Sequence, residues 1–514
     1  MPRLKQPASL ESIVLQSIRN LVLELGRRLL AKVCSGQPSA PTWGIPSHLK
    51  LTRNKCQRIT KLQLFLHPDL PLRLSDAVTS TVLEAISTLV STTPCTNDCF
   101  SKSGDDCCRE VIENLVAGAL HPRISHLDLL QWPWFMGEVL LKHLHELYHL
   151  QVLKLCPGNW SPVWATVVTM LEKDRCLTGN LVSFSMRCHC TDKIVEVLGN
   201  STTLRHLDIM SSVDVTDASV DSLLKLNNLR ILNVASTAIS ADGYIVLLEG
   251  LPHLGKLLWF DLGGQALGKV DRRPLRLHSY EASRVTIGQI DDLVRTCPYL
   301  TRVSFHWLQA DLAVLGALKH LRDVKLANCS ARNCNLQGLL ETIGHNILLL
   351  ELHEVTSVDL LMIGALCPNV RKLNLFCELE PPAAEFVVSQ VQPFQEVEEL
   401  VFGSAYSECL FHNCTNLKKL EISKCRDFND GVLATLLLKN PLKHLEVLSA
   451  VNCGRLSLAA LHMLLASCDN LTRIEGLESW GGVNKLQVAD ICAELERKNL
   501  NISILWKKPI EINW

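Results

Sequence analysis

The sequence predicts an α/β solenoid, and three observations carry that prediction. A short phrase, L-x-x-L-x-L, recurs along most of the chain at nearly constant spacing. Amphipathic stretches stand between successive copies. Hydrophobic residues fill 47% of the 514 positions, enough to bury a long continuous core.

The phrase is clearest in "CTNLKKLEISKC", residues 414–425, and returns in "CPNVRKLNLFC" from Cys367, "CPYLTRVSF" from Cys297 and "CDNLTRIEG" from Cys468. Elsewhere Leu replaces the leading Cys, as in "LYHLQVLKL" from Leu147, "LNNLRILNV" from Leu226 and "LKHLRDVKL" from Leu318. Strand openers fall at Ile59, Ile124, Leu150, Leu181, Leu204, Leu229, Leu254, Leu300, Leu321, Ile347, Val370, Val397, Leu417, Leu445 and Leu471, which is fifteen repeats. Most intervals are 20 to 28 residues, the leucine-rich-repeat period.

Each opener starts a short strand whose second and third apolar positions point inward while those between point out. A return element must then bring the chain back. "VTDASVDSLLKL" from Val215 supplies one, with Thr216 or Asp217 as the cap and Val220, Leu223 and Leu224 as the apolar side. "LSLAALHMLLASC" from Leu456 supplies another. One repeat cannot bury its own face, so neighbours must stack. Cys329, Cys425 and Cys453 close the phrases "LKLANC", "LEISKC" and "LSAVNC", where a small buried thiol suits a strand turning away.

Two intervals break the ruler. From Leu254 to Leu300 it is about twice the usual length. A degenerate repeat around "RPLRLHSY" is expected there, and Leu257, Phe260 and Leu262 offer a second register near Leu254. The interval from Ile59 to Ile124 holds "TPCTNDCFSKSGDDCC", which reads as an exposed insertion. The expected organisation is a helical segment over 1–58, a repeat solenoid over 59–490 with an insertion near 85–120, and a C-terminal cap or tail over 491–514.

Charge separates the N-terminal segment from the rest. Residues 1–58 carry ten Lys and Arg against Glu11 and Glu24, yet the whole chain is at −1. So balanced a chain is not built as a general nucleic-acid binder. The 21 cysteines are odd in number, and Gln16 and Arg19 interrupt the first apolar stretch where a secretory signal needs continuity. Thiols inside a reducing compartment are therefore expected. An acid-poor N-terminus also fits a transit peptide, although Glu11 and Glu24 interrupt that pattern. No apolar run reaches the ~20 residues of a membrane span.

Chemistry-bearing motifs are scarce. Cys95, Cys99, Cys107 and Cys108, with Cys188, His189 and Cys190, contain enough ligands for zinc. The adjacent Cys107–Cys108 pair lacks knuckle spacing, and loop cysteines are the favoured reading. There is no glycine-rich phosphate loop, no H-E-x-x-H and no G-x-S-x-G. No enzyme and no cofactor is expected. The outward strand positions, including His206, Asp208, Asp323, Lys325, Lys372, Lys419 and Glu421, mix both signs, which suits a folded protein or peptide as partner.

The N-terminal residues carry a family resemblance. In "SLESIVLQSI", residues 9–18, Leu10, Val14 and Ile18 recur at i, i+4 and i+8, and the stripe continues through Val22, Leu25 and Leu29. The stretch resembles the elongin-binding box of elongin-linked ubiquitin-ligase receptors. Ser9, Leu10 and Ile18 match, while Val14 stands where that family usually has Cys. "GIPSHL", residues 44–49, is similar to a cullin-2 box, with Ile45, Pro46, Leu49 and Leu51 in its roles. Several such receptors join these boxes to leucine-rich repeats, the PRAME proteins among their relatives, and the cysteine-bearing repeats resemble those of F-box leucine-rich proteins. The resemblance implies a non-catalytic substrate-recognition subunit of a cullin-RING ubiquitin ligase in the cytoplasm or nucleus. It implies elongin B, elongin C and cullin-2 as partners: elongin at Leu10, Val14 and Ile18, cullin at Ile45, Pro46 and Leu49. No nucleic acid and no membrane enter this reading. Two alternatives stay open: a repeat scaffold in which the helix only caps the solenoid, and an F-box receptor linked through Skp1. The F-box pattern wants Leu-Pro ahead of its first helix, whereas Ile45–Pro46 follows the helix here.

Overall fold

The structure is a computed structural model that describes residues 10–34, 72–92, 106–129, 143–155, 179–258, 261–262, 265–271, 274–380, 393–403, 408–425 and 427–507, with Met136, Leu140 and Leu171 besides. It divides into two compact units, residues 8–258 and residues 259–514.

The first unit opens with three helices: α1, Leu10–Cys34; α2, Leu72–Thr92; and α3, Asp106–Ala119. Ile18, Val22, Leu29 and Leu30 of α1 are buried, as are Val82, Leu83, Ile86 and Leu89 of α2 and Ile112, Leu115 and Val116 of α3. Gly26 marks the close approach of α1 to α2, since a Cβ there would run into the Leu89 side chain. Of the insertion expected near 85–120, residues 85–92 and 106–119 are helix, and the polar stretch between them lies outside the described residues. The stretches "VLEAISTLV" and "VIENLVAGA" carry a period-3.6 apolar pattern on either side of the polar, cysteine-bearing stretch.

Six strands follow: β1, His126–Asp128; β2, Val152–Leu155; β3, Ser183–Met186; β4, His206–Asp208; β5, Ile231–Asn233; and β6, Lys256–Leu258. Each pairs in parallel with the next, and Leu127, Leu153, Phe184, Leu207, Leu232 and Leu257 fall in one buried row. Asp76 ties α2 to the first strand: Ser125 donates to it from its amide (2.8 Å) and its hydroxyl (2.5 Å).

The second unit holds β7, Asp261–Leu262; β8, Ser279–Ser283; β9, Arg302–His306; β10, Asp323–Ala327; β11, Leu349–His353; β12, Lys372–Phe376; β13, Glu399–Phe402; β14, Lys419–Ser423; β15, Val447–Val451; β16, Arg473–Glu475; and β17, Ser503–Leu505. Neighbours again pair in parallel, because every return segment starts the next strand from the same edge. The repeating strands and return segments make the fold an α/β leucine-rich-repeat solenoid. From β1 to β6 and from β9 to β16, each strand begins two residues after its expected opener. Ile59 lies outside the described residues. The degenerate repeat materialises as β8, and near Leu254 the register opened by Leu254 holds, with β6 starting at Lys256 and Leu257 buried. Neither β7 nor β17 was expected. Helix 485–497 and β17 make much of the expected tail a further repeat.

Local chemistry sets the return segments. Thr216 is the cap, accepting from the Ala218 amide at 3.2 Å, while Asp217 reaches into the next repeat and accepts from the Ser240 amide at 2.8 Å. The same staple links Asp192 to Thr216 and Ser219, and Asp430 to Ser457. Among the repeat cysteines, Cys425 and Cys453 are buried and Cys329 is half-buried. Burial pushes the thiols of Cys297, Cys367 and Cys468 up to about 12, so they stay protonated as small apolar residues.

Candidate protein-interaction surfaces

Successive residues of an α-helix turn by about 100°, so each four-residue step advances about 40° around the axis. On that wheel Ile13, Leu10, Leu21 and Val14 occupy one sector of α1. Ile18, Leu29, Val22, Gly26 and Leu30 occupy the sector beside it. The structure follows the division: Leu10, Ile13, Val14 and Leu21 are 78%, 51%, 44% and 49% exposed, whereas Ile18 is 7% exposed and Val22 is fully buried. The three residues expected to form one elongin-facing stripe are thus split. Leu10 and Val14 face out, and Ile18 packs inward, because eight residues carry a side chain about 80° around the helix. Ser9, Ile45, Pro46, Leu49 and Leu51 lie outside the described residues.

The strand faces supply the second surface. His206 and Lys372 are exposed, and Asp208, Asp323, Lys325, Lys419 and Glu421 are half-exposed on the outward positions. Many of their charges are matched across the ladder. Arg302 pairs with Asp323 (2.6 Å), Lys325 with Glu351 (2.7 Å) and Lys372 with Glu399 (2.7 Å), each directly opposite in register. In the first unit Lys154 pairs with Asp128 at 2.8 Å and Arg187 with Asp208 at 2.6 Å. Opposite charges placed directly across a sheet favour this register. The mixed signs seen in the sequence are therefore largely internal pairs rather than free recognition groups.

Just before the strands runs a further charged row. In the second unit it alternates: Glu398 lies between Arg371 (4.0 Å) and Lys418 (2.7 Å). The Lys418 ammonium holds the Glu398 carboxyl below its ordinary range, and Glu398 raises Lys418 in return. In the first unit the same row is Arg205 and Arg230, both exposed and, among the described residues, neither in an ion pair. Partial burial, then Arg230, then Arg205 push the neighbouring His206 below its usual range.

A third feature was missed in the sequence. Ser211, Ser236, Arg284, Trp307, Asn328, Glu354, Lys424 and Asn452 all have positive φ, between 51° and 61°, five residues after the start of their strands. Several donate their amides to the last residue of the next strand, as Trp307 does to Ala327 at 2.9 Å and Asn328 to His353 at 2.9 Å. The inter-repeat bond holds side chains in a region they otherwise avoid. Only Asn328 and Asn452, just ahead of repeat cysteines, signalled it, since Asn tolerates this conformation.

Among the described residues no group of His, Cys, Asp and Glu could hold a metal ion. Cys188 is exposed and Cys190 is buried. Cys95 and Cys99 lie outside the described residues, and Cys107 and Cys108 fall in the first turn of α3. No helix among the described residues is long and apolar enough to cross a membrane.

No family model matches the chain, and no curated protein does. Among solved structures the chain is similar to one described as the complex of Rad7 and Elc1 in yeast, at 15% identity and a TM-score of 0.39, over 82% of this chain and 96% of that one. It is also similar to the TLR13–ssRNA13 complex, at 13% identity and a TM-score of 0.30, over 71% of this chain and 66% of that one. The fold assignment rests on the strand register described above, not on these superpositions.

Proposed function

We propose that this chain is a non-catalytic substrate-recognition subunit of a cullin-RING ubiquitin ligase, with α1 meeting the adaptor and the repeats holding the target. One observation carries the reading. The box-like stretch at the start of α1 keeps an apolar edge of Leu10, Ile13, Val14 and Leu21 in solvent although the opposite edge is fully packed. A helix whose only task was to cap the solenoid would not need that second edge. Burying those side chains on a partner contributes at most about 1.5–3 kcal/mol each before ordering costs. The reading assigns the contact to Leu10, Ile13, Val14 and Leu21, with Ile18 fixing the helix from behind. It makes elongin C, with elongin B, the adaptor, cullin-2 the next partner through Ile45, Pro46 and Leu49, and the cytoplasm or nucleus the compartment. The benefit to the reaction is effective concentration of target near the charged enzyme, not acid–base chemistry.

The test is a pull-down scored for elongin B, elongin C, cullin-2 and Skp1. Leu10→Ser with Val14→Asp should abolish all elongin and cullin capture while thermal melting stays within a few degrees. Ile45→Ala with Pro46→Ala should weaken cullin-2 and leave the elongins bound. Wild-type protein that captures no elongin would leave a repeat scaffold, and capture of Skp1 instead would make it an F-box-type receptor.

A further inference from the structure

Three aspects of strands β4 to β6 stand apart from the rest of the repeat surface. First, Arg205 and Arg230 are stacked on adjacent rungs. The Arg205 carbonyl accepts the Arg230 and Ile231 amides (2.8 and 3.0 Å), and the Arg230 carbonyl accepts those of Gly255 and Lys256 (2.9 and 3.1 Å). Adjacent rungs lie about 4.8 Å apart, so two like charges sit side by side, an arrangement that costs stability. The equivalent row of the second unit avoids it by alternating Arg371, Glu398 and Lys418. Second, among the described residues neither arginine has a carboxylate partner, although Arg187 close by does. Third, Ile231 is exposed at 37% and lies in register between His206 and Lys256, so an aliphatic side chain centres the basic row.

We infer that the first unit carries a docking site for an acidic peptide segment, formed by Arg205, His206, Arg230 and Ile231. It rests on the target-binding half of the reading above and not on its adaptor half. The two guanidinium groups supply fork-shaped donors for adjacent carboxylates, and Ile231 takes an apolar side chain of the same segment. The like-charge pairing is relieved when the acids arrive, and the ring of His206 then faces anions instead of two cations. A nucleic acid fits less well. The centre of the row is aliphatic rather than an aromatic platform for bases, and the Asp208 carboxylate lies two residues along the strand from His206.

The experiment titrates a fluorescein-labelled peptide of glutamates around one leucine into the full chain at low salt, read by polarisation. Saturable binding is expected, weakening as salt shortens the screening length below about 10 Å. Arg205→Glu with Arg230→Glu should lose at least roughly tenfold in affinity, equivalent to about 1.4 kcal/mol. Arg205→Lys with Arg230→Lys should recover part of it. Arg302→Glu, on a paired arginine of the second unit, should bind like wild type. In proton NMR the peptide should move the His206 titration upward. The inference is overturned if wild type shows no saturable binding, if Arg302→Glu loses as much as the double variant, or if polyuridylate binds more tightly and displaces the peptide. Elongin capture is measured on the same variants. Peptide binding retained by a chain that captures no elongin sinks the adaptor half alone; the converse sinks this site alone.

Discussion

Asp placed at Val14 and at Val22 separates the two edges of α1 with one chemical change made twice on the same helix. Val22 is fully buried on a helix that packs against α2 and α3, and Val14 is 44% exposed. At Val22 the variant loses about 1.5 kcal/mol of apolar burial and leaves a carboxyl group with no partner in a packed core, for a total above about 4 kcal/mol. At Val14 the lost burial is under about 1 kcal/mol, and Asp and Val have similar helix propensities. The assay is amide hydrogen exchange over residues 82–92 of α2, because a repeat protein can lose one local unit without unfolding elsewhere. Since each 1.4 kcal/mol is tenfold in an equilibrium constant, protection there should fall by roughly a thousandfold for Val22→Asp and by less than about fivefold for Val14→Asp. Equal losses, or a larger one at Val14, would refute the division of the helix and with it the case for a second, partner-facing edge.

Two further outcomes test the register and the ties between elements. Leu420 is buried in the row that joins Leu400 and Leu448, so Leu420→Ala should destabilise by about 3 kcal/mol in urea unfolding. Lys419→Gln, one residue away and facing outward, should cost under about 1 kcal/mol, and equal shifts would disprove the inward–outward alternation. Partial burial works to raise the Asp76 carboxyl, but the hydrogen bonds from Ser125 and His126 together outweigh it and hold the group below its usual range. A depressed carboxyl stabilises above its unfolded-state value and loses that contribution as pH falls through the lower folded value. Asp76→Asn should therefore be less stable than wild type near pH 6, with the gap closing below about pH 4; a gap that stays constant into strong acid would contradict the tie.

The sequence by itself determined the repeat: its length, its parallel strands and the inward side of each one. The reason is that a period-two pattern inside a recurring phrase has a single way to bury its leucines. It also located the degenerate repeat at "RPLRLHSY", because Leu277 and Tyr280 still occupy the inward places. It did not reveal α2 and α3 as partners of α1, because their apolar stripes become meaningful only when three helices meet. The spacing of Leu10, Val14 and Ile18 suggested one stripe; packing against α2 and α3 split it, since a four-residue step drifts around the helix and the partner surface is only so wide. Charge is the sharpest case. Asp323, Lys325 and Lys372 read as candidate recognition groups, and only the register of neighbouring strands, set by residues some twenty or more positions away, showed them to be paired with Arg302, Glu351 and Glu399. The same register left Arg205 and Arg230 facing solvent without an acid between them. Which charges remain available to a partner depends on who stands across the ladder, and that is a property of the fold rather than of any single repeat.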